Sequence, residues 1–414
     1  MKIFKFGGTS VKDADAVRNV VKIIQKEGVE NTLIVVSAMG KMTNAFEKIV
    51  DAFYNKSKEL SNSIRFVEMY HQKIIDDLFD KNDEIHTDTN LLFGELSGFL
   101  ATNTSQDYNF LYDQIVSFGE LLSTKIMSAY LSKIGIENNW LDVRNFIKTD
   151  SNYRDAKVKW ELTEDVIKHK IDISILNITQ GFLAGNNGKT TTLGREGSDY
   201  TAAIFAYCLE AESVTIWKDV EGVLNADPRV FTDTQLLTQV SYTEAIEMAF
   251  YGASVIHPKT LQPIEKKRIP LFVRSFIDTK KRGTKVSKGV DLEPKTPCFV
   301  VKKNQTLVSI SAKDFSFMVE NNISYIFKKL HQYKLKVNVI QNSAISFSVC
   351  IEDKYNLFND FYNALKTSFN IKYNVDATLY TIRHFDKKSI KKIEKKGTIL
   401  LKQTSSKTVQ IILK

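Results

Sequence analysis

The sequence has little cysteine and proline and no long apolar run. Its 414 residues include only three cysteines, Cys208, Cys298 and Cys350, which are far apart and form no CxxC pair. This excludes a disulfide scaffold and gives no support to a zinc or redox site, and such sparse thiols are typical of a reducing compartment. No apolar run is near the about 18 residues that a membrane-spanning helix needs, and the N-terminus lacks a secretory signal. We therefore expect a cytoplasmic protein with no membrane segment.

The net charge of +9 is unevenly distributed. Residues 301–414 contain 20 Lys and Arg against 8 Asp and Glu, whereas the first 300 residues carry slightly more acidic than basic side chains. The densest run comprises Lys387, Lys388, Lys391, Lys392, Lys395 and Lys396. No zinc-finger or RNP-like pattern accompanies this run, so we interpret it as a solvated helix face and expect no nucleic-acid partner. Nucleic-acid binding would instead predict a steeply salt-dependent affinity for arbitrary duplex DNA.

Strand and helix patterns alternate over the first 280 residues. The strand candidates are residues 2–6, 33–38, 173–178, 214–217 and 271–274. The run at 33–38 is almost continuously apolar, which is typical of a parallel strand that is buried on both faces. Residues 14–27 have helical spacing, and residues 42–135 indicate mainly helix. Alternation of this kind predicts an α/β sandwich.

The polar segment 278–298 separates this part from a different C-terminal pattern. It is rich in lysine and contains two of the six prolines, which indicates a linker or a surface excursion. Beyond it, strand and helix patterns alternate at short spacing. They indicate two βαββαβ units, the second abbreviated.

Two glycine-containing motifs have the chemistry of anion sites. Lys5-Phe6-Gly7-Gly8-Thr9-Ser10 ends a strand, and its glycines allow a tight turn whose backbone N–H groups suit phosphate. Gly194-Arg195-Glu196-Gly197-Ser198-Asp199 opens a helix that we predict over residues 199–210, and Arg195 offers its guanidinium to a carboxylate or phosphate. Taken alone, the first motif is more often a structural turn, and the second can be an ordinary helix start capped by Ser198.

A third motif lies after the strand at 214–217. Lys218-Asp219-Val220 leads into a loop that ends in Asp227-Pro228-Arg229. Loops after parallel strands often bind ligands, although Asp-Pro is also a common start of a surface turn. Gly188-Lys189-Thr190 is not the end of a P-loop, because Leu183 stands where that motif needs glycine. We interpret residues 186–192 as a hydrophilic hairpin.

Seven motifs occur in a fixed order along the chain. They are KFGGTS at 5–10, SAMGKMTN at 37–44, SFGELLS at 117–123, QGF at 180–182, TTLGREGSDYTA at 191–202, KDVEGVLNADPR at 218–229 and YGASVIHPKT at 251–260. This order resembles the aspartate kinases of the amino acid kinase superfamily, and the resemblance covers residues 1 to about 290. The C-terminal part resembles, more loosely, the tandem ACT domains of these enzymes. Without an oxidoreductase module, the resemblance is to the monofunctional form.

The resemblance implies an architecture and a reaction. The fold would be an α/β amino acid kinase-like three-layer sandwich with a mainly parallel sheet over residues 1–285. A linker over 286–300 and an α+β ACT-like (βαββαβ) regulatory region over 301–414 would follow. The reaction would use ATP and Mg²⁺ to phosphorylate the β-carboxylate of L-aspartate, the first step toward lysine, threonine, methionine and diaminopimelate. Because this carboxylate is ionised at pH 7, no catalytic base is needed.

The resemblance also implies site residues. The catalytic residues would be Lys5, at the transferring phosphoryl group, and Asp199, which would orient Lys5 or the substrate ammonium. L-aspartate would bind Thr43, Glu120, Arg195 and Ser198, with Glu120 facing its ammonium. ATP would bind Lys5, Gly7, Gly8, Thr9, Ser37, Lys218, Asp219, Leu224, Arg229, Ser254 and Lys259. No residue is expected to ligate magnesium directly.

The sequence departs from the family pattern at the expected ATP site. Ser254 stands where a lysine that reaches ATP is frequent, and Lys259 is a candidate substitute. Lys218 stands where many members have threonine.

The ACT-like region implies a small amino-acid effector and a homodimer or larger assembly. The implied effector residues are Val337, Asn338, Asn342 and Ser343. Lysine-sensitive members carry Thr-Ser-Glu where this chain has Asn342-Ser343-Ala344, so the acidic partner of a lysine ammonium is missing. We therefore expect inhibition by lysine to be weak or absent.

Two other functions remain open from the sequence. A sibling kinase acting on glutamate or another acyl group would keep the fold and change the acceptor. A catalytically silent amino-acid sensor would bind ligands without turnover. The presence of Lys5, Arg195 and Asp199 argues against such a loss of catalytic activity.

Overall fold

A computed structural model describes residues 1–253, 256–314 and 316–414, and these residues form two compact units. The first unit contains residues 1–223, 236–246 and 256–292, and the second contains residues 224–235, 247–253 and the described residues from 293 onward. No helix in the described ranges is long and apolar enough to cross a membrane.

The secondary structure begins with seven strands and seven α-helices among the first 218 residues, together with short 3₁₀ helices at Gly8–Val11 and Val143–Asn145. The strands are β1 (Lys2–Phe6), β2 (Thr32–Val36), β3 (Asn138–Leu141), β4 (Leu176–Gln180), β5 (Leu183–Asn186), β6 (Lys189–Thr192) and β7 (Ser213–Lys218). The helices are α1 (Ala14–Glu27), α2 (Met42–Tyr54), α3 (Leu60–Leu78), α4 (Ile85–Thr102), α5 (Tyr108–Lys133), α6 (Trp160–Lys170) and α7 (Gly197–Cys208).

The remaining elements follow in two groups. The first group is β8 (Val223–Leu224), β9 (Leu236–Leu237), β10 (Gln239–Ser241), α8 (Tyr242–Tyr251), α9 (Pro258–Lys266), β11 (Leu271–Ser275) and β12 (Thr284–Ser287). The second group is β13 (Cys298–Ala312), α10 (Glu320–Gln332), β14 (Lys336–Asn342), β15 (Ser346–Glu352), α11 (Phe358–Leu365), β16 (Phe369–Arg383), α12 (Lys387–Glu394), β17 (Ile399–Thr404) and β18 (Thr408–Leu413).

An eight-stranded sheet forms the centre of the first unit, in the order β10-β12-β11-β7-β1-β2-β4-β3. Every neighbouring pair is parallel except β11 with β12. Phe4 and Phe6 of β1 share a buried cluster with apolar residues of α1 and α5, whereas α7 also packs on β1, β2 and β7. Since successive side chains of a strand point to opposite faces, Lys5 is directed away from that cluster. The mainly parallel, helix-covered sheet confirms the predicted fold class.

Three local predictions for this unit differ from the structure. The strand predicted at 173–178 begins only at Leu176, because Ser174 donates from both its N–H and its hydroxyl to Asp172 and forms a turn there. The helix predicted from 199 begins at Gly197. Thr284–Ser287, inside the predicted polar excursion, is a sheet strand whose Val286 is fully buried. The predicted hairpin at 186–192 is confirmed by the pairing of β5 with β6.

A six-stranded antiparallel sheet forms the core of the second unit, in the order β14-β15-β13-β16-β18-β17. Its two central strands, β13 and β16, are 15 residues long and pair with each other through a register shift near Gln305. The later half of β13 pairs with β15, and the later half of β16 pairs with β18. One βαββαβ unit is therefore complete. The second unit uses the first part of β13 and the later half of β16. This sharing explains why the second unit is abbreviated in the sequence.

The first four lysines of the lysine-rich run lie on helix α12 of the second unit, and Lys395 and Lys396 follow the end of this helix. Asp386 and Ser389 cap the N-terminus of α12 reciprocally, and Ile393 on the inner face of this helix is fully buried. All six lysines of the run are exposed, as expected for a solvated helix face.

Candidate functional site

A cavity of about 470 Å³ opens in the first unit beside the carboxyl ends of β1, β2 and β7. Ligands of open parallel sheets bind outside this edge. The lining residues are Lys5, Ser37, Thr43, Tyr112, Glu120, Arg154, Phe182, Gly194, Arg195, Glu196, Gly197, Ser198, Asp199 and Lys218. The structure therefore brings together all four residues predicted to bind aspartate, both predicted catalytic residues, and Ser37 and Lys218 from the predicted ATP site.

Two ammonium groups surround one buried carboxylate in this cavity. Lys5 Nζ lies 2.7 Å from Asp199 Oδ1, and Lys218 Nζ lies 3.7 Å from Asp199 Oδ2. Burial alone would raise the pKa of Asp199, but the charges of Lys5 and Lys218 outweigh it and hold this pKa below its ordinary value. Asp199 is thus an ionised anchor that positions two cations at the strand ends.

The glycine turn after β1 approaches the backbone of another loop closely. A Cβ atom on Gly8 would lie 2.6 Å and 2.7 Å from the carbonyl oxygens of Gly40 and Ala38, so only glycine fits at this position. The ammonium of Lys5 lies next to Gly7, at 3.5 Å from the position a Cβ atom would take there. Gly7, Gly8 and the exposed Thr9 border Lys5 without themselves lining the cavity.

Glu120 of α5 contributes a second carboxyl group to the cavity, and its pKa is shifted in the opposite direction to that of Asp199. Its residue is only 2% exposed, and burial raises its pKa to about 8. Oε1 accepts a long hydrogen bond of 3.4 Å from Ala38 N, and Oε2 has no hydrogen-bond partner among the described residues. A buried acceptor without a hydrogen bond destabilises the folded protein unless a ligand supplies a donor.

The raised pKa of Glu120 predicts a pH-dependent effect on stability. The carboxyl group of Glu120 holds its proton more tightly in the folded protein than in the unfolded chain, where its pKa is near 4.5. The contribution of Glu120 to the free energy of unfolding therefore falls as pH rises from 4.5 through 8. We expect Glu120→Gln to remove this fall and to be more stable than the wild type at pH 8 by on the order of a few kcal/mol. Urea unfolding of both proteins between pH 5 and 9 measures the difference. A difference that stays constant across this range would contradict the assignment.

The N-terminus of α7 forms another wall of the cavity. Glu196 precedes the helix in a left-handed conformation with φ 53°, and Gly194 has φ 76°. A Cβ atom on Gly194 would also lie 2.7 Å from Asp155 Oδ1, so this sharp turn requires glycine. The turn exposes Arg195 while the helix N-terminus faces the cavity, and both features favour a bound anion.

Comparisons with known proteins agree with this geometry. The amino acid kinase family model matches residues 1–275. Lysine-sensitive aspartokinase 3 of Escherichia coli is 31% identical over 372 residues, which cover 84% of this chain and 78% of that protein. The chain belongs to the aspartokinases of the amino acid kinase family.

The aspartokinase relatives differ in length. The bifunctional aspartokinase/homoserine dehydrogenase 2 of Arabidopsis thaliana is 30% identical over 393 residues, which cover 89% of this chain but 42% of that protein. Crystal structures of E. coli aspartokinase III superimpose over the whole chain and 96% of theirs, with 27% identity. The complex with lysine and aspartate gives a TM-score of 0.83, and the complex with aspartate and ADP gives 0.81.

Several predicted ATP-site residues of this aspartokinase lie outside the cavity lining. Asp219 is exposed after β7, and Lys259 forms an ion pair with Asp155. Leu224 and Arg229 belong to the second unit, where the guanidinium of Arg229 pairs with Asp227 at 2.7 Å. Ser254 lies outside the described residues. Because the Lys259 ammonium is engaged by Asp155, the structure gives no support to its predicted role as a substitute for the usual lysine.

Sequence reasoning did not assign four side chains of the aspartokinase cavity to the site, those of Tyr112, Arg154, Phe182 and Glu196. Tyr112 lies two turns before Glu120 on α5, and Phe182, with φ 70°, is the last residue of the QGF motif at 180–182, to which no site role was assigned. Arg154 comes from an irregular loop that carries no recognisable motif. The spacing of Tyr112 from Glu120 was a usable signal, whereas nothing in the sequence marks Arg154.

The predicted effector residues lie at one edge of the second unit. Asn338 of β14 accepts from Lys302 Nζ at 2.7 Å and donates to Gln305 Oε1 at 2.7 Å. Val337 is half-buried on the same strand, and Asn342 and Ser343 are exposed at its end. Ser343 is hydrogen-bonded to Ser346 across the turn. The amide of Asn338 is therefore already engaged by the protein's own side chains.

Proposed function

We propose that the chain transfers the γ-phosphoryl group of ATP to the β-carboxylate of L-aspartate, forming 4-phospho-L-aspartate and ADP. The observation that supports this most is the position of Lys5 and Lys218, fixed by Asp199, in one cavity with the carboxylate of Glu120, whose Oε2 has no hydrogen-bond partner among the described residues. The two ammonium groups suit phosphate, and the carboxylate of Glu120 suits the ammonium of an amino acid. E. coli aspartokinase III has been crystallised in complex with both aspartate and ADP, the two kinds of ligand that this proposal requires.

The proposed mechanism relies on positioning and charge neutralisation. The β-carboxylate of aspartate is ionised at neutral pH and attacks the γ-phosphorus, while the bond to the bridging oxygen of ADP breaks. Lys5 lies where it would reduce the repulsion between the two anions, and Lys218 adds a second positive charge beside it. Arg195 and the N-terminus of α7 would hold an anionic group of the substrate.

Magnesium enters this proposal as a partner of ATP. No group of three or more potential metal-ligating acidic, His or Cys side chains occurs among the described residues. Both carboxylate oxygens of Asp199 already face ammonium groups, so the metal would bind mainly through phosphate oxygens. Bound there, it would neutralise charge on the phosphates.

An acceptor panel tests the proposed substrate. Release of ADP is measured with ATP and magnesium in the presence of L-aspartate, L-glutamate or no acceptor. We expect activity with L-aspartate alone. Activity with glutamate would keep the family and change the substrate, whereas aspartate and ATP binding without turnover would favour a sensor.

The domain assignment and assembly are part of the same proposal. Residues 1–285 would catalyse the reaction, residues 301–414 would respond to a small amino acid, and residues 286–300 would link them. The sheet of the second unit has the βαββαβ order that supports an ACT-like role. Such units often bind effectors across a dimer interface, so we propose a homodimer or a larger assembly.

The residues at the predicted effector site, on the β14 edge of the second unit, indicate weak or absent inhibition by lysine. Ala344 follows Asn342 and Ser343 where an acidic side chain would pair with the lysine ammonium, and Asn338 is engaged by Lys302. We expect 1 mM lysine to leave the initial rate of aspartate phosphorylation essentially unchanged. The measurement is an inhibition curve with norleucine, which lacks the side-chain ammonium, as the control. Half-maximal inhibition by lysine below 1 mM would contradict the prediction.

A further inference from the structure

Two loops at the carboxyl ends of β1 and β2 contact each other through their backbones. The first loop comprises residues 7–12, and the second loop comprises residues 37–41. Gly40 N donates to the carbonyl oxygen of Gly8 at 2.9 Å, and the carbonyl oxygens of Ala38 and Gly40 leave no room for a side chain at Gly8. A displacement of one loop therefore displaces the other.

Both loops are connected to side chains that have proposed roles in the cavity. The first loop follows Lys5 along the chain, separated from it only by Phe6. In the second loop, Ser37 lines the cavity, and Ala38 N donates to Glu120 Oε1 at 3.4 Å. The relative position of the two loops therefore affects how the proposed phosphate contacts and the proposed amino-acid contacts are aligned.

Tyr70 of α3 contacts both loops with the same hydroxyl group. This hydroxyl donates to the carbonyl oxygen of Lys12 in the first loop. It also lies 2.5 Å from the position that a Cβ atom would take on Gly40 of the second loop, where φ is 55°. One oxygen atom thus forms a hydrogen bond to the first loop and packs directly against the backbone of the second.

The ring of Tyr70 is held in place by the protein interior. It packs against the buried apolar cluster between α1 and the sheet and lies edge-to-face with the imidazole of His71, with 5.5 Å between the centroids. His71 is fully buried, and its Nδ1 atom is 2.7 Å from the carbonyl oxygen of Val67. The hydroxyl of Tyr70 is therefore kept at one position between the two loops.

We propose that Tyr70 is a positioning residue for phosphoryl transfer, and that its hydroxyl holds the two loops in the alignment that the reaction needs. This inference rests on the proposed function. A misplacement of about 1 Å between reacting groups can lower a rate about a hundredfold. Tyr70 is not among the residues that line the cavity, so it would act through the loops and not on a substrate. Its loss should therefore lower kcat more than it changes substrate affinity.

The kinetic test compares Tyr70→Phe with a matched control. Tyr70→Phe keeps the ring and removes only the hydroxyl. Tyr130→Phe is the control, because Tyr130 packs against the same buried cluster, with its ring edge-to-face on Phe79, and is not a lining residue of the cavity. We expect kcat for aspartate phosphorylation to fall at least tenfold in Tyr70→Phe, with both KM values within twofold of the wild type. An unchanged kcat in folded Tyr70→Phe, or an equal fall in Tyr130→Phe, would overturn the proposal.

A double-mutant cycle with Gly40→Ala tests the contact itself. The added methyl group would collide with the hydroxyl of Tyr70, whereas the next atom of this side chain, Cζ, lies at 3.5 Å. The left-handed backbone strains alanine equally in both backgrounds, so only the collision depends on the hydroxyl. Gly40→Ala should therefore lower kcat by a factor at least fivefold smaller in Tyr70→Phe than in the wild type. Equal factors in the two backgrounds would refute a contact that fixes Gly40.

Hydrogen exchange separates this proposal from the proposed function. Amide exchange measured by mass spectrometry on peptides that cover residues 7–13 and 37–44 reports on the two loops without turnover. Both peptides should exchange at least fivefold faster in Tyr70→Phe and at the wild-type rate in Tyr130→Phe. If the wild type phosphorylates no acceptor, the function fails, and this result would still support Tyr70 as the residue that holds the loops. Wild-type exchange in either peptide of Tyr70→Phe would refute that role, whether or not the protein is a kinase.

Discussion

Lys5→Ala is expected to lower kcat for aspartate phosphorylation by about a thousandfold or more. Removal of a single positioned group that stabilises transition-state charge costs about 10²- to 10³-fold in other enzymes. Lys5 also neutralises Asp199, and its loss leaves that buried carboxylate with only the more distant ammonium of Lys218, at 3.7 Å instead of 2.7 Å. The measurement is the steady-state rate with saturating ATP and L-aspartate.

Lys2→Gln is the matched control for Lys5→Ala. Lys2 lies on the same strand but at its amino end, where its ammonium donates to the carbonyl oxygen of Glu27. We expect this variant to keep the wild-type rate. Lys5→Arg restores the charge with a different geometry and should recover only a small part of the activity. If folded Lys5→Ala retained more than a tenth of the wild-type kcat, Lys5 would not be the catalytic cation.

Glu120→Gln is expected to raise the KM for L-aspartate about a hundredfold while leaving the KM for ATP nearly unchanged. Loss of one partner of a buried charge pair typically costs about 2–5 kcal/mol, and a hundredfold change in KM lies within this range. Exposed Glu95→Gln on α4 is the control and should match the wild type. Initial rates measured over both substrate concentrations separate the two KM values. Equal increases in both would indicate a general distortion of the site.

The pKa of Glu120 also predicts how aspartate affinity depends on pH. Below pH 8 the empty cavity holds this carboxyl group mainly in its protonated form, which must lose its proton before it can pair with an ammonium. The KM for L-aspartate should therefore fall as pH rises from 6 to 8, by up to about tenfold per pH unit, and level off above 8. The same profile measured on Glu120→Gln should lack this slope.

The sequence was most informative where a function depends on local backbone. Lys5 could be placed at the cavity because a strand end and a glycine turn are contiguous in the chain, whereas Gly7 and Gly8 themselves do not line it. Asp199 could be predicted in the same way, from the start of α7. Parallel strands then bring their carboxyl ends together, so residues far apart in sequence meet at one edge of the sheet.

The sequence was least informative where long-range contacts decide the structure. Arg154, in an irregular loop, lines the cavity because Asp113 of helix α5 fixes its backbone, a contact that no local pattern encodes. Lys259 has the charge expected of an ATP ligand, yet Asp155 engages it instead. Likewise, β13 and β16 are long strands shared by two βαββαβ units, which short periodic segments cannot indicate.

Trapping of the product with hydroxylamine tests the central claim most directly. The protein is incubated with ATP, magnesium, L-aspartate and hydroxylamine, and the hydroxamate is identified by chromatography against the 1- and 4-hydroxamates of aspartate. The account predicts the 4-hydroxamate, formed by the wild type and Lys2→Gln and lost in Lys5→Ala. Absence of hydroxamate from a folded wild type that binds both substrates, or formation of the 1-hydroxamate, would contradict it.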